Sequence, residues 1–192
     1  SAPCARNHCS TSAALGSTMT CRVSHLRAAR DTCCAATLDH VLFVEIATAS
    51  RVVASTSKRS EKISILAAVL SRAAPAELAP AVAFATGSAL QGRIGVGWAT
   101  IADVRPAPAV APSLGVLDVH RALDELAGTA GGGSVARRRQ IVHELLAAAT
   151  EPEQLLIRGI LGGELRQGAL DGVMAAAIAQ AAGVSVAEVQ RG

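Results

Sequence analysis

The chain has 192 residues, 51% hydrophobic and 17% charged, with 18 Lys and Arg against 15 Asp and Glu. This length can bury a core, and the low hydrophobicity and high net charge of a disordered chain are both absent. Only Phe43, Phe84 and Trp98 are aromatic, and Ala and Leu are abundant, so the expected fold class is all-α rather than a sandwich or barrel.

The longest charge-free runs, 78–92 and 172–187, are shorter than a membrane span of roughly 18–20 residues and are interrupted by Gly or polar residues. Ser1 to Asn7 lead into no apolar run of the secretory kind, so a cytoplasmic location, associated with the nucleoid, is expected.

Cys4, Cys9, Cys21, Cys33 and Cys34 all fall within the first 34 residues. Their spacing matches no common zinc pattern, although His8 and His25 lie among them, and no metal site is expected. Residues 1–40 lack periodicity and read as a disordered extension or as sequence upstream of the true start. They carry a net charge of +2, leaving +1 for residues 41–192. A basic field over the whole domain is therefore absent, and any case for nucleic acid must rest on local clusters.

A helix is expected from Val41 to about Ala54, followed by Ser55, Thr56 and Ser57 as possible caps. In the next helix Ile63, Leu66, Ala67 and Leu70 fall on one face, while Lys58, Arg59 and Lys62 crowd its first turns. Cations there oppose the helix dipole, a small cost that a polyanion partner would relieve. Pro75 suits the first turn of a third helix that stops at Gly87.

Residues 92–98 hold Gly92, Gly95, Gly97 and Trp98, a density of glycine that lets backbone approach a neighbour or a phosphate. Without G-x-G-x-x-G spacing or a preceding strand, it is not a dinucleotide site. Pro106, Pro108 and Pro112 mark a linker over about 105–115, which divides domain 41–192 into two helical subclusters.

Beyond the linker, a helix over about 116–126 is broken by Gly131, Gly132 and Gly133. Ser134 caps the next, from Val135 to Ala149, with Arg137, Arg138 and Arg139 in its first turns. Thr150-Glu151-Pro152-Glu153 is a capping box for a helix ending near Gly162 and Gly163. Leu170, Val173, Met174, Ala177, Ile178 and Ala181 recur at helical spacing, with Met174 in the core. Ser185 to Glu188 open another capping box shortly before Gly192, as in a chain that stops inside a larger architecture.

No nucleophile, base and orienter come together. His120 and His143 sit on helices, and Asp124 with Glu125, like Glu151 with Glu153, fit helix faces and caps. Nothing points to catalysis.

The string Glu164-Leu165-Arg166-Gln167-Gly168-Ala169-Leu170, preceded by Leu155 to Gly163 and followed by Asp171 to Met174, closely resembles the N-terminal DNA-binding domain of ATP-dependent DNA ligases. Gly95-Val96-Gly97-Trp98 is similar to the family's Gly-Val/Ile-Gly turn. Residues 123–146 look like its Gly-Gly-Ser-x-x-Arg turn between two helices, and Leu42 to Leu70 resembles the small actinobacterial type. The resemblance runs from Val41 to the C-terminus.

It implies an all-α module that grips nicked duplex DNA in the minor groove and helps a catalytic ligase core close, in DNA repair, replication and recombination. The candidate DNA-binding residues are Lys58, Arg59 and Lys62; Gly95 and Gly97; Gly131, Gly132, Gly133, Ser134, Arg137 and Arg138; and Gly163, Arg166, Gln167 and Gly168. Glycine turns at helix starts expose N–H groups that can seat phosphates, and the arginines add charge.

The departure from the family is the missing Lys-x-Asp-Gly lysine that takes AMP. Only Lys58 and Lys62 are present, and neither is followed by Asp-Gly. ATP and magnesium are thus implied for the full-length ligase and no cofactor for this chain, which is expected to seal no nick alone. A different class remains open: residues 178–189 fit a helix-turn-helix, as in transcription regulators.

Overall fold

In the computed structural model, residues 40–92, 94–163 and 171–191 are described. The five cysteines and the expected N-terminal extension lie outside them, as do Arg166, Gln167 and Gly168.

The described elements are helices, in agreement with the all-α expectation. In chain order they are α1 (Phe43–Ser55), α2 (Arg59–Leu70), α3 (Pro75–Ala85), α4 (Trp98–Asp103), α5 (Val116–Gly128), α6 (Ser134–Ala148), α7 (Glu151–Gly162), α8 (Asp171–Ala182) and α9 (Val186–Val189). Helix α4 is the addition. Its six residues are too short for a periodic signal, and only Ile101 among them is buried.

Helix α1 packs on α2, α3 and α7, the pair α2 and α8 is the most extensive, and α4 rests on α7. Segments before and after the proline linker thus share one apolar cluster, which includes Phe43, Leu66 and Phe84 on one side and Leu123, Leu146 and Ile157 on the other. Met174 is buried in it, as its spacing predicted.

With so few aromatics, the core relies on Ala, Val, Leu and Ile. Phe43 and Phe84 are both fully buried and meet edge to face at 5.5 Å, joining α1 to α3. Such a pair adds about 0.5–1.5 kcal/mol beyond the area it buries. A short antiparallel contact closes the opposite side: Phe43 N–H donates to Leu114 C=O at 2.8 Å and Val116 N–H to Val41 C=O at 3.2 Å. It fixes the end of the linker against the start of α1.

A helix start leaves N–H groups without intrahelical acceptors. Five helices here meet that need alike, with an acidic side chain at the third helical position turned back onto the N-cap N–H. The pairs are Leu42 with Glu45 at 3.4 Å, Ala74 with Glu77 at 3.0 Å, Gly115 with Asp118 at 2.8 Å, Thr150 with Glu153 at 2.7 Å and Ser185 with Glu188 at 2.8 Å. Glu77 also accepts from Val41 N–H at 3.3 Å, gathering the entry to α1 onto the start of α3. The hydroxyl and N–H of Ser185 hold the Glu188 carboxyl below the usual carboxylate range.

The box at α7 is the buried one. Glu153 has no exposed surface, and its Oε2 accepts from both the N–H and the hydroxyl of Thr150. Replacing Glu153 with Ala strands a buried N–H and should cost about 1–3 kcal/mol, read as a lowered urea midpoint. Glu188→Ala, at a helix with no buried residue, should leave the midpoint in place.

Candidate nucleic-acid interface

Helix α6 opens without an acidic residue. Gly131 and Gly133 take left-handed φ values of 87° and 80°, and Gly133 itself is the N-cap. This corrects the expectation that Ser134 caps the helix: Ser134 is its first residue, because the left-handed turn already ends at Gly133. A Cβ on Gly131, Gly132 or Gly133 would meet nothing within 4 Å, so the turn is open to solvent and glycine serves its backbone conformation.

The three arginines that follow do not form a free cationic cluster. Arg137 pairs with Glu125 of α5, and Arg139 pairs with Asp103 at the end of α4. Arg138 donates to Thr129 C=O at 2.5 Å and lies over Gly95, where a Cβ would come within 3.3 Å of its Nη2. One helix turn therefore ties α6 to three different segments. Sequence spacing could not reveal this, since each partner is remote along the chain or set by a turn.

The glycines of residues 92–97 face the C-terminal end of α7 across a groove of about 530 Å³, lined by Gly92, Gly95, Gly97, Ile160 and Gly163 among others. Gly95 and Gly163 have φ values of 72° and 66°. Three of the sequence-derived candidates, Gly95, Gly97 and Gly163, thus share one glycine-rich groove whose other walls are Ile94, Val96, Ile160 and Leu161, with Arg138 packed over Gly95. Gly163 immediately precedes residues 164–170.

The start of α2 is a separate place. Arg59 donates to Gly172 C=O at 2.8 Å, tying α2 to the first turn of α8, and does not stand as a free charge. Glu61 is drawn aside by the Thr56 hydroxyl at 2.6 Å. Lys58 is exposed and Lys62 half-buried, and among the described residues neither enters an ion pair.

Sequence reasoning missed the device that holds α4. Arg158 of α7 donates from Nη1 to Ile101 C=O at 2.5 Å and from Nη2 to Val104 C=O at 2.7 Å, satisfying carbonyls at the C-terminal end of α4. Burial, and secondarily the nearby Arg105, lower its pKa from the usual arginine range. The one available signal was a cation embedded in the apolar run from Leu155 to Leu161.

The residues of the helix-turn-helix reading fall on α8, the turn at Gly183 and α9. Gly183 makes the turn with φ of 67°, and α9 follows as a single turn with no buried residue. Among the described residues no group of His, Cys, Asp and Glu could hold a metal, and no helix is long and apolar enough to cross a membrane.

Residues 100–179, which hold α5 to α7 and one wall of the groove, match the family described as DNA ligase N terminus. Its kinship is with the N-terminal region of DNA ligases. A probable DNA ligase of Nocardia farcinica is 46% identical over 151 residues, covering 79% of this chain and 29% of the relative. The corresponding protein of Saccharopolyspora erythraea is also 46% identical, with 79% and 30% covered. That of Mycobacterium avium is 47% identical over 158 residues, with 81% and 30% covered. The chain thus spans about 30% of the length of these ligases.

Two glycines of the groove separate backbone conformation from open space. Gly95→Ala forces a left-handed φ on a residue with a Cβ and crowds Arg138, and should cost about 1–2 kcal/mol. Gly97, at an ordinary φ of −76° with nothing within 4 Å, should accept Ala with little change. Thermal unfolding of the two variants checks this.

Proposed function

We propose that this ligase N-terminal region grips duplex DNA by its phosphates, without reading base sequence, and so serves nick sealing in repair, replication and recombination. The observation that carries the proposal is the glycine-rich groove that brings Gly95, Gly97 and Gly163 together within sequence akin to DNA ligases. Backbone N–H groups of the loop before α4 suit phosphate oxygens, whereas that of Gly163 is taken by the Gly159 and Ile160 carbonyls, and contacts of the loop kind position a protein without selecting bases. The open Gly131–Gly133 turn at α6 and the lysines of α2 are further contact points of the same type. Arg166, Gln167 and Gly168, next along the chain from the groove, complete the proposed set. The preferred partner is nicked double-stranded DNA, with a catalytic ligase core joining it, in the cytoplasm at the nucleoid.

The residues present do not fit the ATP and magnesium of a full-length ligase. Adenylation needs a desolvated amine in a Lys-x-Asp-Gly setting. Lys58 is exposed, Lys62 lies on the flank of α2, and neither precedes Asp-Gly. Incubation of this chain with labelled ATP and magnesium should yield no covalent AMP adduct, and an adduct on either lysine would overturn that reading.

Fluorescence anisotropy with nicked, intact and palindromic duplexes tests the DNA proposal. Binding should be indifferent to sequence, and log K should fall with log salt at roughly 0.9 per phosphate neutralised. Arg166→Ala should weaken binding to all duplexes alike and lower the slope by about one, as should Arg138→Ala. Arg72→Ala, a change in a cation paired with Glu45 away from the groove, should have less effect. A preference for the palindromic duplex that survives Arg166→Ala would refute the proposal.

A further inference from the structure

A second groove, of about 430 Å³, runs between α4 with the residues after it and α7. Trp98, Arg105, Pro106, Glu151, Leu155 and Arg158 line most of it. Two features set it apart from the remaining surface. Trp98, the chain's one tryptophan, is 60% exposed although both phenylalanines are fully buried, and Leu155 beside it is 64% exposed. Arg105 and Arg158 meet only main-chain carbonyls among the described residues, as Arg59 and Arg138 do elsewhere, but here two such arginines line one groove.

Those carbonyl bonds hold the guanidinium groups in place. Arg158 is fixed by Ile101 and Val104, and Arg105 Nε donates to Ala102 C=O at 2.8 Å, leaving its two terminal nitrogens without a partner among the described residues. Glu151 lines the same groove but pairs with neither. Two like charges thus face one cavity with no counter-charge bound to them, a setting that an anion would relieve. Beside them stands a large exposed π surface.

We propose that this groove takes an unpaired nucleotide of a single strand, its base stacked on Trp98 and its phosphate held by Arg105. A nucleotide supplies both things the groove lacks, an anion and a flat ring, whereas a base inside a duplex has its faces covered by its neighbours. Arg158 keeps α4 in register and adds positive potential, a positioning role rather than a contact. Because Trp98 directly follows Gly97 of the glycine-rich groove, an unpaired end leaving a duplex held there has a short path to the indole. The inference extends the duplex reading and is separable from it, since the two grooves share no lining residue.

With no tyrosine in the chain, the fluorescence of Trp98 reports on this groove alone. Titrating the full chain with a ten-nucleotide oligothymidylate should quench it, while an abasic oligomer of equal length and a blunt duplex should not. By anisotropy of labelled oligothymidylate, Trp98→Ala should weaken binding about fivefold or more and Trp98→Phe should retain most of it. Arg105→Gln should weaken binding and lower the salt slope by roughly 0.7, the value per single-strand phosphate. Retained duplex binding in Trp98→Ala would show that the variant is folded and that the two sites are distinct. Oligothymidylate binding without quenching, or unaffected by Trp98→Ala, overturns the inference. So does a Trp98 signal that changes only with protein concentration, which would make the face a contact between copies of the chain.

Discussion

The free N–H groups at helix starts are the constraint around which this molecule is arranged. In a small helical domain each start must find acceptors, and carboxylates three residues into α1, α3, α5, α7 and α9 supply them from within the same turn. Those five ends are neutralised before any partner arrives. Helix α2 lacks such a box because its Glu61 is taken by the Thr56 hydroxyl, and α4 and α6 begin at glycines with no acidic residue in their first turns. The presence or absence of a carboxylate turned back onto the N-cap therefore sorts the surface into self-satisfied ends and ends that remain receptive.

The same economy of means explains why α4, though only six residues long, governs so much. It owes its place to α7, whose Arg158 takes up carbonyls at its last turn, and to α6, whose Arg139 reaches Asp103. Its N-cap Gly97 lines the glycine-rich groove, while its first residue Trp98 and the following Arg105 line the second. Both candidate surfaces depend on two arginines that never need to touch nucleic acid.

Much of the fold was legible because it is written locally. The helices begin and end within a few residues of where caps, prolines and glycines put them, and the Thr150–Glu153 box and the glycine stop at Gly163 appear as their spacing implies. The glycine groove was legible only in part. Gly95, Gly97 and Gly163 were each recognisable, but nothing in the order of residues says that the loop after Gly92 meets the end of α7. The arginines of α6 misled for the opposite reason. A run of three looks like one patch of charge, yet successive residues on a helix point about 100° apart, so each finds a different partner. Helix α4 and Arg158 escaped because a single turn has no period and a lone cation in an apolar run carries no motif.

The pairing of α2 with α8 bears on how the chain comes into being. About 100 residues separate the end of one from the start of the other, yet theirs is the most extensive helix contact in the fold. At a synthesis rate of about 5–20 residues per second, the apolar face of α2, with Leu66, Ala67 and Leu70, emerges some 5–20 s before its cover exists. Until α8 is made, that face needs a temporary occupant, whether α1 and α3 in a provisional packing or a chaperone at the ribosome. The order of synthesis thus makes α8 the helix that locks α2 in place.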